Sequence, residues 1–137
     1  MSGPPPDAEA LYRAAADAME SAYAPYSKFR VGAALLGRDG SVHPGCNVEN
    51  ASYPASICAE RGALLGAVAR GVREFDALVV ATEADEPTPP CGQCRQVLVE
   101  FAPDLPITSR TRAGAERSWR LSELLPHPFT PTSLHQP

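Results

Sequence analysis

Cys58-Ala-Glu-Arg-Gly-Ala-Leu-Leu-Gly-Ala-Val-Ala-Arg70, followed by Ala77-Leu-Val-Val-Ala-Thr82, is the passage that decides the architecture. The first run reads as a helix that tolerates Gly62 and Gly66 and closes at Gly71. The second is short, apolar throughout and without polar alternation, the pattern of a central strand covered on both faces. A helix leading into a doubly buried strand needs further strands beside it and a second helical layer on the far side.

The flanking sequence supplies both. Residues 7–23 read as a helix with Leu11, Ala15, Ala18, Met19 and Ala22 near one face, Asp7 as its cap and Pro25 beyond its end. Phe29 to Leu36 is strand-like, Asp39-Gly40 is a hairpin turn signal, and the return strand is expected from Ser41 to Asn50. Downstream, Glu83 to Pro90 is a proline-rich loop leading into a helix from about Cys91 to Phe101. Leu105 to Ser109 is a fourth strand and Arg117 to Leu121 a fifth; Ser122 to Leu125 is one helical turn stopped by Pro126. The expectation is one α/β domain over 1–137: a three-layer α/β/α arrangement with a mixed sheet of about five strands. Residues 1–7 and 131–137 are expected to be irregular.

Composition narrows the function classes. The chain has 137 residues, 44% of them apolar and 20% charged, which are ordinary globular values. No signal-like or membrane-length apolar run occurs, so the expected setting is cytoplasmic, with no membrane partner. Sixteen acidic residues against twelve Lys and Arg leave a net charge of −4. That balance offers no basic face for phosphates and excludes long nucleic acid as the expected partner.

The four cysteines carry the strongest chemical signal. In a reducing compartment they point to metal or catalysis rather than to disulfides. Cys91 and Cys94 lie one helical turn apart at a helix start, and Cys58 opens another helix. Helix N-termini favour thiolates, the form that binds zinc. Three thiolates would leave a fourth tetrahedral position for water, with Glu60 close enough to move its protons. On spacing alone a closed structural site stands equally open, with Cys46 as fourth ligand and the chain a zinc module that binds a protein partner.

Cys58-Ala-Glu-Arg61 and Pro90-Cys-Gly-Gln-Cys-Arg-Gln96 resemble the two zinc signatures of the cytidine deaminases. Tyr26-Ser-Lys-Phe-Arg-Val-Gly-Ala-Ala34, Gly45-Cys-Asn-Val-Glu-Asn-Ala-Ser-Tyr53 and Glu123-Leu-Leu-Pro126 with Phe129 resemble its small nucleoside-specific branch. The resemblance implies one Zn²⁺ per chain on Cys58, Cys91 and Cys94, with Glu60 as the catalytic proton carrier. It implies that Asn47 and Glu49, which alternate along a strand, bind the ribose 3′-hydroxyl. Phe29 would then pack on the base, and backbone groups near Ala59 and Pro89 would meet its polar edge. Arg61 would offset the thiolate charge by hydrogen bonding to sulfur, whereas Arg95 reads equally as a solvated or ion-paired residue. The resemblance also implies a homotetramer in which Ala51, Tyr53 and Phe129 serve a neighbouring subunit's site.

The implied substrate is a free cytosine nucleoside, and the implied reaction is its hydrolytic deamination. Departures from the family pattern are Pro89, where Ser or Thr is common, Gln93 between the cysteines, and Pro128 before Phe129. A blasticidin S-type deaminase shares the cysteine motifs and the Leu-Leu-Pro ending, but the Asn47 to Tyr53 segment favours the nucleoside enzyme.

Overall fold

A computed structural model describes residues 7–135. It contains one five-stranded mixed sheet between helical layers. The strands are β1 (Val31–Gly37), β2 (Val42–Cys46), β3 (Phe75–Thr82), β4 (Pro106–Thr111) and β5 (Glu116–Arg120). Their spatial order is β2-β1-β3-β4-β5; β3 and β4 run parallel, and every other neighbouring pair is antiparallel. Helix α1 (Ala8–Met19) covers one face, packing Leu11, Ala15 and Met19 on Ala34, Leu36, Val79 and Ala81. Helices α2 (Ala59–Ala69) and α3 (Gly92–Val99) share the other, over Ala33, Leu35, Leu78, Val80 and Ile107. The short helix α4 (Leu121–Leu124) seals that second core with Leu121.

Local sequence explains most of these elements. Asp7 accepts the Ala10 amide at 2.8 Å and caps α1. Gly40 takes φ +88° in the β1–β2 hairpin, a conformation that costs glycine no side-chain clash. The central β3 is buried from Leu78 to Thr82, as its apolar run requires.

Several boundaries differ from the sequence expectation, two of them for a tertiary reason and one for a local one. Helix α1 stops at Met19 rather than residue 23, because the Tyr23 backbone pairs with Asn47 and Glu49 instead of continuing the helix. Strand β2 ends at Cys46 rather than Asn50; Val48 leaves the ladder and exchanges hydrogen bonds with Ile57. Residues 131–134, expected to be irregular, form a short helix, α5 (Pro131–Leu134), with Thr130 capped by Ser133. Residues 1–6 and 136–137 of the stretches expected to be irregular lie outside the described residues. Among the described residues no helix is long and apolar enough to cross a membrane.

Two glycines set the distance between layers. A Cβ on Gly32 would lie 2.7 Å from the Met19 amide nitrogen and closer still to the Ala15 carbonyl oxygen, so α1 rests directly on β1. A Cβ on Gly45 would lie 2.5 Å from the Ala63 nitrogen and closer still to the Ala59 carbonyl, so α2 rests on β2. These obstacles are backbone atoms, which cannot step aside without moving a helix. Gly62, on the facing side of α2, is different: a Cβ there would meet the Cys46 carbonyl at an ordinary 3.6 Å. Gly32→Ala is therefore expected to destabilise the protein by at least about 3 kcal/mol, while Gly62→Ala is neutral or stabilising. Thermal denaturation of the two variants beside wild type checks this, and a Gly32→Ala melting point equal to wild type defeats it.

Candidate metal and ligand site

The N-termini of α2 and α3 converge over the end of the sheet where β3 and β4 run side by side. Cys58 is the N-cap of α2 and Cys91 the N-cap of α3, both with extended backbone, and neither sulfur is spent on a capping hydrogen bond. Cys94 follows in the first turn of α3 and is fully buried. The three Sγ atoms all lie within 4.8 Å of one another. Cys58 and Cys91 sulfurs are 3.9 Å apart, and Cys91 and Cys94 sulfurs 3.4 Å. A Zn–S bond of about 2.3 Å in tetrahedral geometry requires sulfurs roughly 3.8 Å apart, close to the two separations above.

Electrostatics supports the same reading. The Cys58 thiol is held well below its ordinary value, chiefly by its interaction with the Cys94 thiol and further by Arg61. Cys94 moves upward, because it gives its proton to that interaction and is buried. Each helix N-terminus adds roughly half a positive charge. Arg61 Nη2 donates to the Ser56 carbonyl at 3.0 Å and reaches Cys58 Sγ at 3.8 Å, which brings a cation against the thiolate cluster.

Cys46 stands apart. On β2 it lines a surface hollow with Ala14, Asp17 and Ala18 of α1, whereas Gly45 faces α2. It lies on the other face of the sheet from the three sulfurs and outside their cluster. The closed four-cysteine arrangement is therefore not formed.

Beside the thiols is a cavity of about 210 Å³. Glu60 and Ala59 line it from the start of α2, Pro89 and Cys91 from the start of α3. Phe29, Asn47 and Glu49 form the opposite wall. Glu60 is only 6% exposed, and burial first, then the neighbouring Cys58 charge, raises its carboxyl to about 7. Asn47 and Glu49 share one side, as their alternation suggests, although both lie past the end of β2. Asn47 also closes the start of β1: its Nδ2 donates to the Phe29 carbonyl and its Oδ1 accepts the Val31 amide, both at 2.8 Å. Glu49 accepts the Tyr26 and Ser27 amides at 3.0 and 3.1 Å and the Ser27 hydroxyl, and these bonds lower its pKa.

Ala51, Tyr53 and Phe129 are not among the residues lining this cavity. Tyr53 is 70% exposed and stacks edge-on against Tyr26, and Phe129 is 60% exposed with its carbonyl held by Gln96 Nε2. Arg95, read as solvated or ion-paired, instead clamps the carbonyls of Pro90 and Leu124 at 2.7 and 2.9 Å. The structure adds Ser27, Val31, Val80, Thr82 and Thr88 to the lining. Ser27 lies inside a quoted motif, but nothing in the spacing of Thr82 or Thr88 marks them.

Comparison with known proteins agrees with this geometry. The family model described as "Cytidine and deoxycytidylate deaminase zinc-binding region" matches residues 5–108. A cytidine deaminase of Sporosarcina psychrophila is 44% identical over 129 residues, covering 93% of this chain and 95% of that protein. One from Halalkalibacterium halodurans is 47% identical over 125 residues, covering 90% and 95%. The crystal structure of cytidine deaminase from Burkholderia pseudomallei superposes with a TM-score of 0.87 at 48% identity, over 90% of this chain and all of that one.

The separation of Cys46 from the trio has a direct consequence. Cys46→Ser is expected to retain one zinc per chain, and Cys91→Ser to lose most of it, as measured by elemental analysis of purified protein. Loss of zinc from folded Cys46→Ser would show that the metal sits elsewhere.

Proposed function

This chain belongs to the zinc-binding cytidine and deoxycytidylate deaminase family, and we propose that it hydrolyses cytidine and deoxycytidine to uridine and deoxyuridine with release of ammonia. The observation that carries the reading is a single cavity holding both a buried carboxylate, Glu60, and a three-thiol cluster at its rim. The relatives matched over most of their length are themselves cytidine deaminases.

Cys58, Cys91 and Cys94 would hold the zinc at the rim of the cavity, and three protein ligands are the number found in catalytic zinc sites. When bound, zinc supplies a Lewis acid that makes water nucleophilic near neutral pH. Glu60 takes a proton from the attacking water and delivers it to N3 of cytosine as oxygen adds to C4. It then carries the remaining hydroxyl proton to the amino nitrogen; the C4–N bond breaks, and ammonia leaves. Ala59 and Pro89 line the cavity, where their backbone groups would meet the base's polar edge, and Phe29 would pack on the base.

At the far end, Asn47 and Glu49 would receive the ribose 3′-hydroxyl. Glu49 is an acceptor already fixed by three bonds from the Tyr26–Ser27 turn, so it meets a hydroxyl with little reorganisation. A 3′-phosphate could not donate to it and would set two anions together. Sites built for a hydroxyl reject such analogues by about 10⁴–10⁵. The acidic balance points the same way, toward free nucleosides rather than long nucleic acid, and the proposed role is pyrimidine salvage in the cytoplasm.

Tyr23, Tyr26, Val48, Tyr53 and Phe129 expose large apolar surface on a chain of 14.5 kDa, an arrangement that calls for a covering partner. A homotetramer would cover them and bring Ala51, Tyr53 and Phe129 to neighbouring sites. Sedimentation equilibrium should give four times the chain mass; a monomer at micromolar concentration would rule the shared site out.

Ammonia release decides the activity. Zinc-loaded protein should deaminate cytidine but not 3′-CMP or a single-stranded oligonucleotide, and Glu60→Gln should lose at least roughly 10³-fold in turnover. Blasticidin S belongs in the same panel. Faster turnover of it than of cytidine, or equal rates on cytidine and the oligonucleotide, would overturn the nucleoside assignment.

A further inference from the structure

Three side chains form a row across the end of the sheet beneath the cavity. Val31, Thr82 and Thr111 are register partners on β1, β3 and β4. Thr82 shares its side of β3 with Leu78 and Val80, the face that α2 and α3 cover. The neighbouring hydroxyls on β4 have partners: Ser109 Oγ accepts the Thr88 amide and Thr111 Oγ1 the Ala115 amide, both at 3.0 Å. Thr82 does not follow suit. The residue is fully buried and lines the cavity with Ala59, Glu60 and Phe29, and its Oγ1 has no partner among the described residues.

Burying a hydroxyl without a hydrogen bond is costly, and a methyl of the same shape would remove that penalty. Valine would fill the position and extend the apolar row of Leu78 and Val80. Oγ1 itself is closed off on every side, so the hydroxyl meets a partner when the side chain turns about χ1 toward the cavity that the residue lines, exchanging places with its methyl.

We propose that Thr82 is a substrate-contacting residue whose hydroxyl hydrogen-bonds a polar atom of the bound pyrimidine, directly or through one water held against the ring. The inference rests on the nucleoside reading above. A threonine hydroxyl rotates and can either donate or accept, so it can meet an amino-pyrimidine before reaction and its keto product afterwards. An interaction available to both ends of the reaction is uniform binding, which lowers KM and leaves kcat alone. Thr82 therefore divides its effect differently from Glu60, which acts on turnover.

The test uses zinc-loaded wild type, Thr82→Val and Thr82→Ser, with cytidine as substrate and uridine as product ligand. Thr82→Val is expected to raise KM by about 2- to 10-fold, the range of a net neutral hydrogen bond, and to weaken uridine binding by the same factor. Its kcat and zinc content should stay at the wild-type level, and Thr82→Ser should restore KM. A crystal structure of wild type with uridine gives a second reading that does not depend on either variant folding. Oγ1 bonded to the ring marks direct contact, and Oγ1 bonded to a water that touches the ring marks the bridged form. Unchanged KM and uridine affinity in Thr82→Val, or an Oγ1 bonded only to protein in the complex, would overturn the proposal. Wild type that releases no ammonia from cytidine defeats the functional reading instead, so the two failures are distinct.

Discussion

The meeting of two helix N-termini over one end of the sheet governs the rest of the molecule. Cys58 and Cys91 occupy the caps of α2 and α3, where uncommitted amide hydrogens and partial positive charge favour thiolates. Neither helix could supply three sulfurs alone. Their convergence depends on the parallel β3–β4 pair, whose crossover puts α3 on the same face as α2. It depends also on the bare backbone of Gly45, which lets the first turns of α2 settle onto β2. A side chain there would lift the helix that carries both Cys58 and Glu60.

Residues that face the cavity also hold the backbone that shapes it. The Asn47 amide closes the start of β1, and the Glu49 carboxylate gathers the Tyr26–Ser27 turn. Such double use fixes the wall before a ligand arrives, which keeps the ordering cost of binding low. The two arginines of the cysteine motifs divide their work in a related way. Arg61 brings positive charge to the sulfurs, whereas Arg95 joins the entry of α3 to α4 through two carbonyls. Similar motif positions thus serve electrostatics in one helix and geometry in the other.

The exposed aromatic side chains belong to a different level of organisation. Tyr53 and Phe129 sit in motif segments yet remain exposed; Tyr53 lines a hollow that shares Ser27 and Glu49 with the cavity, whereas Phe129 lines neither.

Much of this was legible in the sequence, because periodicity and local chemistry act over a few residues. The apolar run of β3, the Asp39-Gly40 turn, the Asp7 cap and the order of elements each follow from short-range rules, and so does the placement of Cys58, Cys91 and Cys94 at helix starts. Distance across the fold obeys no such rule. Whether Cys46 joined the thiols was open on spacing, and only the sheet decided it, by turning Gly45 to α2 and Cys46 to α1. The early end of α1 came from backbone pairing of Tyr23 with Asn47 and Glu49, more than twenty positions away, and that of β2 from Val48 pairing with Ile57. Thr82 gave no signal in the sequence, where it reads as the last residue of a buried strand. Its unpaired hydroxyl exists only because neighbouring strands and two helices enclose it, and that enclosure is a property of the tertiary structure alone.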